Sequence, residues 1–348
     1  MKKLPERLFL FDLPMKTLYY SISILFVFIA CQTDQTIYKS VDTILINEDH
    51  LKRNRTRLEQ NSLKLRDSFI QLLKEAEIAM NEGPFSVTHK KKLPPSGDFH
   101  DYVSYSRYWW PDTSQPDGLP YKRRDGETNP DSQSSHLSDR PRIGKFGKNA
   151  ETLGLAYYFT GEQKYAQKAA QLLRAWFLNK GTKMNPNMNH AQCRLGHNEG
   201  SKSGVLDGRL MIGAFESSLL IADSQEFSES EMFQLKEWAS EYLNWLTTNK
   251  LALEEAKSKN NHGSFYDVQL MYFALFSGDK VLATKVANGF LKKRAILQIL
   301  PDGSMPEELA RTRPLFYSIY NLHALFLVAH MAESLEIDLW KKTTEIPD

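Results

Sequence analysis

The chain has 348 residues, enough for one large domain or two ordinary ones, and its 41% hydrophobic and 25% charged residues are those of a soluble globular protein with material for a core. Its 44 Lys and Arg against 42 Asp and Glu leave a net charge of +2, which excludes the broad basic footprint of a nucleic-acid binder while allowing a local basic lining for an acidic polymer. With Cys31 and Cys193 its only cysteines, a disulfide-stapled fold is excluded as well.

In chain order, the first feature is the apolar run 18–30, preceded by Lys16 and ending Ile29-Ala30-Cys31. It falls short of the about 20 apolar residues of a spanning helix and reads as an export signal over 1–31. A Cys directly after Ala30 gives it the form of a lipoprotein signal, with Cys31 as the acylated residue; plain cleavage is the alternative. The expectation is an exported protein, periplasmic or anchored at the outer membrane, touching the membrane only through lipid. Residues 32–43 read as a polar tether and 44–348 as a single domain.

From Ile44 to Met80 the chain is rich in Leu, Lys, Arg and Glu, with Leu63, Leu65, Phe69, Leu72 and Leu73 at helical spacing. Between Asn81 and Gly147, Pro, Gly, Asp and aromatics crowd together, notably in Arg107-Tyr108-Trp109-Trp110-Pro111 and around Tyr121 and Arg124. That composition predicts a long ordered loop region, and such loops in compact domains are commonly functional. After Asn149 helical stripes dominate, one of them opened by a capping-box pattern at Ser228 and Glu231. Phe159-Thr160-Gly161-Glu162 recurs as Phe276-Ser277-Gly278-Asp279, each between an apolar and an amphipathic stretch. Repeated hairpins of this kind predict an all-α fold, an incomplete (α/α) toroid with long ordered loops; a right-handed solenoid is the alternative.

Two segments carry chemistry. Asn260-Asn261-His262-Gly263 precedes an apolar helix, so its side chains sit at a helix N-terminus, where anions are favoured; simple capping by Asn260 or Asn261 is the plainer reading. Arg311 and Tyr317 flank Pro314, an irregular point at which side chains can converge on a cleft. Taken alone, Arg311 reads equally as an ion-pair partner of Glu307 or Glu308, and Tyr317 as a core aromatic. Trp109, Trp110 and Tyr121 have the form of sugar-stacking residues or of loop anchors, and Arg124 of a carboxylate partner. Arg209 is a further cationic candidate. No paired Cys/His pattern predicts a metal site, and no cofactor is expected.

Four blocks, Arg107–Gly126, Asn189-His190-Ala191-Gln192, Asn260–Gln269 and Asp302–Tyr317, resemble in wording and order the alginate lyase superfamily, closest to polysaccharide lyase family 38 and more distantly to family 5. The resemblance implies β-elimination on a uronate polymer such as alginate or glucuronan: a base removes the C-5 proton and the O-4 bond breaks. Asn261, His262 and Arg311 would neutralise the carboxylate, and Tyr317 would act as base and then acid, its phenol lowered towards phenolate by Arg311. His262 as the base is the alternative. His190, Gln192 and Tyr266 would contact sugar. The rival functions are a glycoside hydrolase using carboxylates among Asp125, Glu127, Asp207 and Glu216, and a non-catalytic glycan-binding lipoprotein.

Overall fold

In the computed structural model, which describes residues 41–342, helices supply most of the regular structure. The signal segment, Cys31 and residues 32–40 lie outside the described residues. The expected tether ends earlier than 43: Val41 is already buried in a small cluster with Leu51, Tyr158 and Leu220. The backbone N–H groups of Ile44, Leu45 and Ile46 all donate to the carboxylate of Glu216, which fastens this entering strand of chain to the body.

Helices α1 (Glu48–Glu59) and α2 (Leu63–Met80) come first. The irregular region follows, with β1 (Val103–Tyr105) and the antiparallel pair β2 (Trp109–Trp110) and β3 (Lys122–Arg123). It ends sooner than its composition suggests, because α3 runs from Arg140 to Thr160. Pro141 is tolerated in the first turn, where its missing N–H has no partner to lose. Gly147, which reads as a loop residue, is a packing residue: a Cβ there would stand 1.9 Å from the carbonyl oxygen of Leu210.

The remaining helices are α4 (Gln163–Leu173), α5 (Ile212–Leu220), α6 (Glu229–Thr248), α7 (Lys250–Glu255), α8 (Asn261–Ser277), α9 (Lys280–Phe290), α10 (Ile296–Gln298), α11 (Pro306–Leu309) and α12 (Pro314–Glu333). Strand β4 (His190–Cys193) pairs in parallel with β1, and a 3₁₀ segment covers Lys202–Met211. The sequence echo is a structural one. Gly161 and Gly278 adopt φ of 71° and 86° and end α3 and α8 in the left-handed conformation that glycine tolerates best. The helices that follow, α4 and α9, are both 11 residues long and both run into a five-residue π-turn.

Helix α8 is buried on almost every side, whereas α4 buries one stripe through Tyr165, Ala169, Leu172 and Leu173. Inner faces of successive hairpins share one aromatic core, where Phe215 meets Phe177 at 4.7 Å and Phe273 at 5.1 Å between ring centroids. Helix α12 packs chiefly on α8. The architecture is the incomplete (α/α) toroid. The irregular region, the 3₁₀ segment and the N-termini of α8 and α12 all contribute walls to one cavity.

Candidate active site

That cavity has a volume of about 570 Å³. Helix α8 begins at its wall, where Asn260 caps the helix through its side-chain oxygen, accepting from the His262 N–H at 3.2 Å. Asn261, 1% exposed, does something else. Its backbone N–H and its side-chain Nδ2 both donate to the carboxylate of Glu308, with Nδ2 2.9 Å from each oxygen. Glu308 therefore does not pair with Arg311. The amide hydrogens of Asn261, expected to neutralise a substrate carboxylate, are already engaged, and its Oδ1 is buried without a partner.

His262 lines the cavity. Its Nδ1 is held in a short hydrogen bond by Glu255, a buried carboxylate at the end of α7 that also accepts from Ser258 Oγ at 3.1 Å. Such an arrangement fixes ring orientation and tautomer and leaves Nε2 for chemistry.

Arg311 forks onto Asp125, with Nη2 and Nε at 3.1 and 3.3 Å from its two oxygens. Its guanidinium lies 3.8 Å from the centre of the Tyr317 ring. Gly126, at φ of 83°, lets the Asp125 loop approach, since a Cβ there would stand 2.7 Å from Thr312 Oγ1. Burial of the Asp125 carboxylate opposes its ionisation, but Arg311 and Arg123 hold its pKa below the usual value.

The Tyr317 hydroxyl is 3.0 Å from that of Tyr108. Its pKa is pushed up to about 12, by burial first and by the Tyr108 hydrogen bond second, with Arg311 pulling the other way. This corrects the expectation of a phenol brought towards phenolate by Arg311. The cation is in place, but Asp125 shares its charge and the low-dielectric surroundings penalise the anion. Burial and the Tyr108 contact together favour the neutral phenol of Tyr317.

The structure also sorts the remaining candidates. Trp109, Gln192 and Arg209 line the cavity; Trp110, Tyr121, Arg124, His190 and Tyr266 lie outside its wall. Alternation along a strand decides the first group. In the β2–β3 pair, Trp109 is opposite Arg123 and both reach the cavity, while Trp110 faces away and stacks under Arg124 at 5.3 Å. Arg123 thus stands where Arg124 was expected. Tyr266 is one helical turn inward from His262, within the core, and donates its hydroxyl to the Leu246 carbonyl at 2.9 Å. The His190 ring is occupied by the Glu199 carbonyl at 3.3 Å, with Asp101 at 3.9 Å. Arg209 sits 5.1 Å from both the Phe265 and Tyr320 rings.

Sequence reasoning missed Tyr108, Glu255 and Glu308 as site residues. Tyr108 had a signal, since it falls inside the first resembling block. The two glutamates had none, because their partners are set by how α7 and α11 meet the start of α8.

The hydrolase reading finds no support. Asp207 is buried in a network with Tyr102, Ser104, Gln192 and Arg140, Glu216 anchors the chain entry, and Asp125 is tied to Arg311. Among the described residues, none of these candidates forms a pair of disengaged carboxylates across the cavity.

Membership of its family makes this helical toroid a polysaccharide lyase, an enzyme that breaks a carbon–oxygen bond. The chain belongs to the alginate lyase family, whose pattern matches residues 86–346. It is 39% identical to an alginate lyase from Bacteroides ovatus of known crystal structure, with a TM-score of 0.84 over 88% of this chain and 80% of that one. Alginate lyase A1-III from Sphingomonas species A1 shares the fold at 18% identity, with a TM-score of 0.53 over 85% of this chain and 72% of that one. A tyrosine-to-phenylalanine variant of A1-III has been solved with a tetrasaccharide. Comparison with curated proteins finds no match.

Proposed function

We propose that this lyase cleaves a uronate polymer, of the alginate or glucuronan type, by β-elimination at the cavity holding His262, Arg311 and Tyr317. The observation that carries the reading is convergence. Asn261 and His262 from the start of α8, and Arg311 and Tyr317 from the approach to α12, border one cavity whose wall also holds Arg107, Arg194, Lys202 and Arg209. Removing the C-5 proton beside a carboxylate builds up a dianion, and preorganised cations and donors are what lower that barrier. In this reading Arg311 and the imidazole of His262 meet the carboxylate. Asn261 contributes through its fixed position rather than through free amide hydrogens.

Tyr317 is the proton-transferring group in this reading, taking the C-5 proton and returning it to the leaving O-4. A second reading has a specific observation behind it: Tyr317 rests as a neutral phenol, while Glu255 orients His262 with Nε2 unengaged. His262 would then be the base and Tyr317 only the acid. The two readings separate in the His262→Gln variant. A carboxylate donor is partly replaced by the glutamine amide, leaving measurable turnover, whereas loss of the base abolishes it.

The primary test is Tyr317→Phe, assayed by the ultraviolet absorbance of the unsaturated product on polymannuronate, polyguluronate and glucuronan. Product formation is lost while polymer binding persists; turnover like that of the unaltered enzyme removes Tyr317 from the mechanism. We also propose export as a lipoprotein through Cys31. Its check is whether Cys31→Ala releases the protein from the membrane fraction.

A further inference from the structure

Helix α12 has the composition of an inner helix of the toroid but lacks an outer one to cover it. From Pro314 to Ala332 the sequence holds no Asp, Glu, Lys or Arg. Burial and Arg209 hold the His323 pKa below its usual value, so the middle of the helix stays uncharged near neutrality. A helix that is apolar all round is ordinarily a buried one. In the earlier hairpins the apolar helix is covered by the amphipathic helix that follows it, α3 by α4 and α8 by α9. Among the described residues no helix follows α12.

What is left bare is a stripe. Leu315, Ile319, Leu322 and Phe326 recur at intervals of four, three and four residues, the repeat of a coiled-coil seam. Together with Phe316 they are 37–72% exposed. Trp340, half exposed, meets Phe326 edge-on at 5.3 Å between ring centroids and widens the apolar surface. Six large side chains so exposed offer about 700 Å², close to the about 800 Å² that each partner brings to a stable interface of ordinary size. That also exceeds the largest apolar patch of a typical monomer.

The pattern of the stripe names its occupant. Its intervals read the same in both directions, so a second copy laid antiparallel is complementary to it. A twofold axis between Ile319 and Leu322 sets Leu315 against the partner's Phe326 and Ile319 against the partner's Leu322. The N-terminal end of the described chain is held elsewhere, through Val41 beside α1, α3 and α5, whereas α12 packs on α8, α9 and α11. Phe316 belongs to the exposed surface and also lines the catalytic cavity, so a partner seated here backs the turn of helix that carries Tyr317.

We propose that the protein forms a twofold homodimer through the outer face of α12, with Ile319 and Leu322 at its centre. The inference is independent of which polymer the cavity takes.

The test uses the full chain carrying Cys31→Ala, which removes the proposed lipid attachment and leaves Cys193 as the one cysteine. That thiol is buried, with its pKa pushed up to about 12, and stays out of disulfide exchange. Sedimentation at rising concentration gives this protein twice the chain mass of 40.1 kDa. Ile319→Lys raises the dissociation constant by at least about thirtyfold, as loss of a central apolar contact does, and returns the single-chain mass with unchanged circular dichroism. Leu253→Lys, an equally exposed leucine on α7, leaves the dimer intact. Register is read by cysteines: Leu315→Cys and Phe326→Cys in one chain form an interchain disulfide under mild oxidation, and neither does so alone. Eleven residues of helix hold these positions about 16 Å apart, too far to join within a chain or like to like across an antiparallel pair. A single-chain mass for the Cys31→Ala protein at every concentration, a dimer that survives Ile319→Lys, or single-cysteine variants that link as readily as the double one overturns the proposal. So does binding of the protein to phosphatidylcholine vesicles that is lost in Ile319→Lys, which would assign the face to a membrane.

Discussion

Tyr108→Phe gives the sharpest test of how the phenol at the centre of this site is tuned. The Tyr317 pKa is pushed up to about 12, and the hydrogen bond shared with Tyr108 is the second cause of the rise after burial. A bond that raises the pKa favours the neutral phenol of Tyr317, and across the 3.0 Å contact either hydroxyl can be the donor. A neutral hydrogen bond of this kind contributes about 1 kcal/mol net, and one pKa unit corresponds to about 1.36 kcal/mol, so its removal lowers the pKa by about 0.7. The sign is then fixed. If the phenolate is the base, kcat/KM rises with pH towards the Tyr317 pKa, and in Tyr108→Phe that rising limb moves to lower pH. Below the limb the variant is faster by up to about fivefold, the same free energy expressed as a population of phenolate. Arg311→Gln moves the limb the other way, because Arg311 is the group that lowers this pKa, and it also loses the carboxylate contact. The assay is the initial rate of ultraviolet absorbance across a pH series at low substrate. A limb unmoved in Tyr108→Phe, or moved to higher pH, refutes the reasoning and favours His262 as the base.

Other outcomes follow from the same geometry. Glu255→Gln keeps a hydrogen bond to His262 but removes the charge that fixes its tautomer, and kcat falls on the order of a hundredfold with an unaltered melting curve; retained kcat would relieve Glu255 of a positioning role. Glu308→Ala strips the acceptor from the backbone and side-chain N–H groups of Asn261, costing about 1–3 kcal/mol for each buried donor left unpaired, read as a lower urea midpoint. Gly147→Ala forces α3 away from the Leu210 carbonyl, an overpacking penalty of about 1–3 kcal/mol, read as a lower Tm; an unchanged Tm would mean the two segments separate easily.

The amino-acid order alone determined the helical class and the repeated hairpins, while Asn261, His262, Arg311 and Tyr317 stood out as a set through the resemblance to the alginate lyase superfamily. The class and the hairpins are local or periodic signals: a left-handed turn at Gly161 and Gly278, apolar stripes, a cap, a proline at the start of a helix, as Pro314 is in α12. It also placed the irregular aromatic region, though not its end, because glycine means a loop when read locally and close helix packing when read in three dimensions, as at Gly147. What only the tertiary structure decided is who partners whom. Glu308 belongs to Asn261 and Asp125 to Arg311, pairings across 47 and 186 residues of chain, and neither has a sequence period to announce it. The same holds for orientation. A strand two residues long turns Trp109 towards the cavity and Trp110 away from it, and one helical turn separates an imidazole at the rim from the Tyr266 phenol sealed in the core. Charge state came last of all, since the Tyr317 proton is held by burial, by Tyr108 and against Arg311, three neighbours that only folding assembles.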